Sequence, residues 1–195
     1  MKTLASVVEG HGEVLALPIL LRRLAQDVDP GDVISAPTPW RLPRGRFRVP
    51  GELERALAVV SRRVTGQGGV IILLDSDDDC PVTLATELTH RAAGAAAPGC
   101  PVAVVAVQRE FEAWFLAALD SLGSHPDVTA GLPSVADAEA VRDAKGRLQD
   151  AMVSAKYSPT RHQPAFVAAM DLEQARACRS FRKFDKEVRA LLGVV

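Results

Sequence analysis

The chain has 195 residues, the length of one globular domain, and 48% of them are apolar, enough to build a full core. Disorder and low complexity are therefore excluded. The 23 Lys and Arg against 24 Asp and Glu leave a net charge of −1, which excludes a generally basic protein that coats nucleic acid; any contact with a polyanion must be local. The charge is uneven, because residues 1–140 hold 12 basic and 18 acidic side chains whereas residues 141–195 hold 11 and 6. Cys80, Cys100 and Cys178 lack the spacing of a disulfide framework or a zinc site, which fits a reducing cytoplasm. The longest apolar runs, 14–21 and 102–107, fall far short of the roughly 20 residues a membrane span requires, and Glu9 and Glu13 interrupt any signal-peptide core.

An apolar run over 3–8 ends in EGHGE, whose glycines allow a tight turn before Leu17, Leu20, Leu21, Leu24 and Val28 repeat at helical spacing. This predicts strand, turn and helix, with Pro18 kinking or restarting the helix. Residues 36–50 contain four prolines and four arginines and read as an irregular connection, with 46–49 as a short edge strand. Leu53, Leu57, Val60 and Val64 mark one face of a helix over 52–64, closed by glycines. The branched run 70–74 shows no alternation, as expected of a strand covered on both faces of a parallel sheet, and runs into Asp75-Ser76-Asp77-Asp78-Asp79. Pro81 suits the first turn of a helix carrying Leu84, Ala85 and Leu88, and 102–107 forms a third buried strand before Glu110 and Glu112. Trp114 and Phe115 read as core positions of the next helix.

Ser134 to Asp137 has capping-box spacing ahead of another helix bearing Val135, Val141, Leu148 and Met152. Residues 156–164 read as a polar loop, and helical pieces resume at 165 and end in the amphipathic stripe Phe184, Val188, Leu191 and Leu192. Alternating strands and helices predict a Rossmann-like α/β three-layer sandwich around a central, mainly parallel sheet. Residues 1–125 form its core and 126–195 a helical, basic C-terminal extension.

In such a sheet ligands bind beyond the carboxyl ends of the strands, and all three convincing strands end in carboxylates: Glu9 and Glu13, then Asp75 to Asp79, then Glu110 and Glu112. Gathered at one edge they repel unless a cation neutralises them, and oxygen ligands without His or Cys suit Mg2+ or Mn2+. Arg44, Arg46 and Arg48, interleaved with Trp40 and Phe47, are candidates for gripping phosphates, as are Lys156, Arg161 and His162. A solvated, Pro-stiffened loop accounts for the arginines equally well, and ordinary surface exposure is the favoured reading of the other three.

Glu9 with the Asp75-Ser76-Asp77 triplet resembles the signature of the Toprim superfamily of topoisomerases, bacterial primases and OLD-family nucleases. VEGHGE, LLDSDDD, REFEAWFLA, KYSPTRHQPAF and SFRKF together resemble a bacterial family of stand-alone Toprim-like proteins of unknown function. The resemblance implies a Toprim-like fold, Glu9, Asp75 and Asp77 as catalytic residues, and Glu9, Glu13, Asp75, Asp77 and Glu112 as the ligand set for Mg2+ or Mn2+. It implies phosphodiester hydrolysis on DNA or RNA. The chain has no phosphate loop, so an ATPase partner would be encoded separately, and a homodimer is compatible with it. Tyr157 is the single tyrosine and no companion domain accompanies it, which excludes a topoisomerase. Other readings of the same acidic residues are a non-catalytic metal- or nucleotide-binding subunit, a receiver-like fold with Asp75 as phospho-acceptor, and a DxD glycosyltransferase.

Overall fold

In the computed structural model, which describes residues 1–154 and 156–194, the unbroken apolar run around Val70 occupies an interior strand. The chain runs β1 (Lys2–Val8), α1 (His11–Val28), β2 (Ile34–Ser35), β3 (Trp40–Arg41), α2 (Arg44–Phe47), α3 (Glu52–Val60), β4 (Gly68–Asp75) and α4 (Pro81–Ala92). It continues with β5 (Val102–Val107), α5 (Ala113–Ala117), α6 (Ala144–Asp150), α7 (Pro159–Ala169), α8 (Leu172–Ala175) and α9 (Arg179–Leu191). The sheet order is β2-β1-β4-β5, with β3 also beside β1, and every pairing is parallel.

Successive side chains of a strand point to opposite faces, so each strand feeds two cores. Leu4 and Val8, Ile71 and Leu73, and Ala103 and Val105 pack with α1, α5, α7 and α9. Ala5 and Val7, Val70, Ile72 and Leu74, and Val104 and Ala106 pack with α3, α4, Leu42 and Phe47. This is the expected three-layer α/β sandwich. Trp114 and Phe115 are fully buried in the first core. The Trp114 ring lies 5.0 Å from that of Phe181 and 4.8 Å from that of Phe111. Its indole N–H donates to Ser180 Oγ at 2.8 Å, which meets the polar requirement of a buried tryptophan.

Two glycines permit close approaches that seat the layers. A Cβ on Gly68, whose φ is +132°, would fall 1.9 Å from the Thr3 carbonyl oxygen; one on Gly12 would fall 2.1 Å from Gln163 Oε1, where α7 lies on α1. The C-terminal segment thus completes the first core, since α7 packs on α1 and α9 on β5, β4 and α1.

Several elements depart from the expectations. Residues 46–49 form no edge strand: Arg44–Phe47 is a helical turn that buries Phe47, and the short strands are β2 and β3. Pro18 lies within one uninterrupted helix. The helix over 52–64 ends at Val60 and continues as a 3-10 turn, Ser61–Arg63. Ser134 caps no long helix; its hydroxyl accepts from the Asp120 N–H, and α6 is capped by Asp143, whose carboxylate accepts from Gly146 N–H at 2.8 Å. Residues 156–164 are only partly loop, because α7 begins at Pro159 and contains Pro164.

Candidate functional site

The parallel topology puts the ends of β1, β4 and β5 along one edge, and their carboxylates gather there. Asp75 closes β4; its Oδ1 accepts from the Phe111 N–H at 2.8 Å, which ties it to the segment after β5. Ser76 Oγ accepts from the Arg109 N–H at 3.0 Å, holding the same segment with Arg109 in the left-handed region at φ 62°. Glu112 follows and is fully buried. Its Oε1 accepts from Tyr157 Oη at 3.1 Å and Gln163 Nε2 at 3.0 Å. Glu13 is buried in the first turn of α1, with its carboxylate over Gly10, where a Cβ would fall 2.1 Å from Oε2.

Two cations from outside these strands enter the cluster. Lys145, on α6, places Nζ 3.2 Å from Glu112 Oε2, 3.8 Å from Asp75 Oδ2 and 4.0 Å from Glu110 Oε2. Its backbone N–H donates to Glu110 Oε2 at 3.0 Å. Arg44, at the start of α2, donates to the carbonyls of Asp75 and Ser76 and to Asp79 Oδ2, and lies 3.9 Å from Glu9 Oε2 and 3.6 Å from Asp77 Oδ2. Glu9 Oε2 and Glu112 Oε2 are nevertheless buried acceptors that receive no hydrogen bond.

The electrostatics follow from burial and crowding. Burial raises Asp75 well above the ordinary carboxylate range, and Glu112, Glu13 and Glu9 push the same way against Lys145. Burial likewise raises Glu13, with Glu112 and Glu9 adding to it, and raises Glu9 against the pull of Arg44. Burial alone would lower Lys145, but Glu112, Asp75 and Glu110 outweigh it and hold the ammonium charged. Burial and then Glu112 raise the Tyr157 phenol, which stays a proton donor.

Of the residues singled out from sequence, Glu9, Glu13, Asp75 and Glu112 are brought together, with Asp77 on the exposed rim in the left-handed region at φ 49°. Arg44 joins them, and Arg48 reaches the rim by an ion pair of 2.6 Å with Asp79. Arg46 pairs instead with Glu52, Arg161 pairs with Asp127, and Lys156 is exposed without a contact to the cluster. His162 is fully buried: its Nδ1 accepts from the Ser158 N–H at 2.8 Å and its ring stacks on Tyr157. It is packed behind the cluster, not presented to a substrate. Asp78 is 86% exposed and pairs with Arg109 and Arg142.

Lys145, Tyr157 and Gln163 carried no signal as site residues when read in sequence. Tyr157 and Gln163 lie inside KYSPTRHQPAF, a stretch that carries a family resemblance but no chemical motif; Lys145 sits in an ordinary polar helix and meets Asp75 from 70 positions away. Among the described residues no group of three or more His, Cys, Asp or Glu is arranged to hold a metal ion as it stands; Lys145 and Arg44 are the cations among these carboxylates.

A family profile matches residues 8–189, from the end of β1 to the last turns of α9. The chain belongs to the Domain of unknown function (DUF4276) family. No curated protein and no solved structure matches it. The DUF4276 match takes in every residue of the acidic cluster and both cations that enter it, so the site lies wholly within the family's shared extent. No helix of the described residues is long and apolar enough to cross a membrane.

Proposed function

We propose that this protein is a divalent-metal-dependent phosphoryl-transfer protein, a Toprim-type nuclease acting on DNA or RNA in the cytoplasm, with a separately encoded ATPase as partner. One observation carries the reading: the buried carboxylates of Glu13, Asp75 and Glu112 and the half-buried one of Glu9, from three strand ends, share one edge, and Glu9 Oε2 and Glu112 Oε2 receive no hydrogen bond, only ion-pair contacts from Arg44 at 3.9 Å and Lys145 at 3.2 Å. An all-oxygen donor set with orphaned acceptors fits Mg2+ or Mn2+. Glu9, Glu13, Asp75, Asp77 and Glu112 would hold the ion, which supplies charge neutralisation and ionisation of a water nucleophile.

The chain's own residues account for the rest of the chemistry. Tyr157 and Gln163 fix the Glu112 carboxylate from behind. Glu9 is half-buried and its pKa is raised by burial, a shift in the direction that favours proton exchange by a carboxyl group. Arg44 and Lys145 are the cations nearest the carboxylates and face the charge of an incoming phosphate.

Calorimetry with Mn2+ and a cleavage assay on single-stranded and nicked nucleic acid test this. The expected result is millimolar or tighter binding, abolished by Asp75→Asn, and slow cutting lost in Glu9→Gln and Asp77→Asn proteins that still fold. Absence of ion binding overturns the metal reading. Ion binding without cutting, alone or with the ATPase, leaves a non-catalytic metal- or nucleotide-binding subunit.

A further inference from the structure

β5 is the last strand of its sheet: β4 pairs with one side, and among the described residues no strand pairs with the other. The Val70 N–H donates to the Pro101 carbonyl and the Ser76 N–H to that of Val107, so the odd-numbered residues face β4. By the alternation of a parallel ladder, Val104 and Ala106 turn their N–H and C=O groups outward. These groups open into a groove of about 490 Å3, floored by Val104 to Ala106 and walled by α4 on one side and the start of α9 on the other. Natural edges are usually shortened, charged, broken by proline or covered. The six residues of β5, VAVVAV, use none of the first three devices.

The two walls differ in chemistry. On α4, Val82 is 64% exposed, and the hydroxyls of Thr86 and Thr89 are committed to the carbonyls of Val82 and Ala85 at 2.8 and 2.7 Å. That wall offers small, largely apolar contacts, with the exposed His90 as its polar end. On α9 stand Arg179 and Lys183. The nearby acid, Glu139, is occupied by the N–H groups of Arg179 and Ser180 at 2.7 and 2.8 Å, which leaves the Arg179 guanidinium without an acid of its own among the described residues. Lys183 has only an intrahelical partner, Glu187. Two cations against one carboxylate line this wall, and of the two Arg179 has no acidic partner among the described residues.

We propose that this groove takes an extended acidic segment of a partner polypeptide, which joins the sheet as a further strand beside β5. The segment's backbone bonds to Val104 and Ala106, and because its side chains alternate between faces, apolar ones meet α4 and acidic ones meet Arg179 and Lys183.

A second copy of the chain fits the edge poorly. A two-fold normal to the sheet pairs β5 antiparallel with its mate and sets α9 against α9, opposing Arg179 and Lys183 with like charges. Parallel pairing requires an offset: Val70 is in register with Val102 yet bonds Pro101. A two-fold along the strands keeps equal numbers level and cannot create that offset.

The test uses the full chain and a synthetic peptide alternating glutamate and valine, with amide exchange read residue by residue. Protection of the Val104 and Ala106 amides is expected. Affinity should fall with salt and be about tenfold or more weaker for the lysine-valine peptide and for the Arg179→Glu/Lys183→Glu variant, whose changes are on exposed side chains. A peptide N-methylated on its bonding edge should not bind. No protection of β5 at millimolar acidic peptide, equal binding of the lysine peptide, or unchanged binding to the charge-reversed variant overturns the proposal. Protection of the same amides by self-association, without peptide, assigns the edge to a second copy and overturns it equally.

Discussion

The imidazole of His162 illustrates how surroundings set the chemistry of a single side chain. Nδ1 accepts the Ser158 N–H, so the ring carries its proton on Nε2, 3.4 Å from Asp127 Oδ2. A second proton would have to enter at Nδ1 and break the Ser158 bond. Burial lowers the His162 pKa, more than Asp127 raises it. A depressed pKa means the unfolded chain binds the extra proton first, so its contribution to stability is present above the ordinary histidine pKa of about 6.5 and is lost as pH falls through the folded value. Denaturant titrations from pH 7.5 downward should therefore show stability declining more steeply for the wild type than for His162→Gln. Equal slopes would show that His162 does not titrate differently on folding.

Tyr157 belongs to the same scale. Its hydroxyl and the Gln163 amide are the donors to Glu112 Oε1, and losing a donor to a buried carboxylate costs about 1–3 kcal/mol. Tyr157→Phe should lower stability by that order in chemical denaturation. If Glu112 holds a metal as proposed, the same change should weaken Mn2+ binding by about 10- to 100-fold through loss of ligand orientation. An unchanged denaturation midpoint would remove the hydrogen bond from the account; unchanged Mn2+ affinity in a destabilised variant would remove Glu112 from the ligand set.

At the scale of elements, legibility tracked length and period. β4 and β5 carry unbroken runs of five and six apolar side chains, and α1 and α4 show a helical repeat, so each is visible. β2 and β3 are two residues each, too short for any period, and owe their pairing to β1. α7 was obscured by Pro159 and Pro164; the first occupies the first helical position, where no N–H is needed. The strand-end carboxylates were legible because topology alone collects them. Lys145 was not, because what places it is α6, a seven-residue helix whose position depends on Asp143 and Glu110. Asp143→Ala should cost about 1 kcal/mol, as loss of a cap does, and should speed amide exchange specifically over 144–150. Exchange there unchanged would mean that packing alone, not the cap, positions Lys145.

On the scale of the whole molecule, the acidic N-terminal part and the basic C-terminal part share one core. Trp114 packs against Phe181 and Phe184, and Leu191 reaches β4, where its Cδ2 lies 2.7 Å from the position of a Cβ on Gly69. A boundary near residue 125 passes through this core. Phe184, Val188, Leu191 and Leu192 are all buried, and burying one such side chain is worth about 1.5–3 kcal/mol. Together they rival the whole stability of an ordinary domain, about 5–15 kcal/mol. Truncation after Arg182 should therefore abolish cooperative unfolding, and the intact chain should show a single calorimetric transition with equal calorimetric and van't Hoff enthalpies. Two separable transitions, or a folded fragment 1–125, would show that the basic extension is a domain in its own right. One cooperative unit also makes the strand-end cluster answerable to distant changes: α7 seats on α1 through Gly12 and supplies Gln163 to Glu112, so a substitution that loosens the packing of α7 should also alter the setting of the carboxylates.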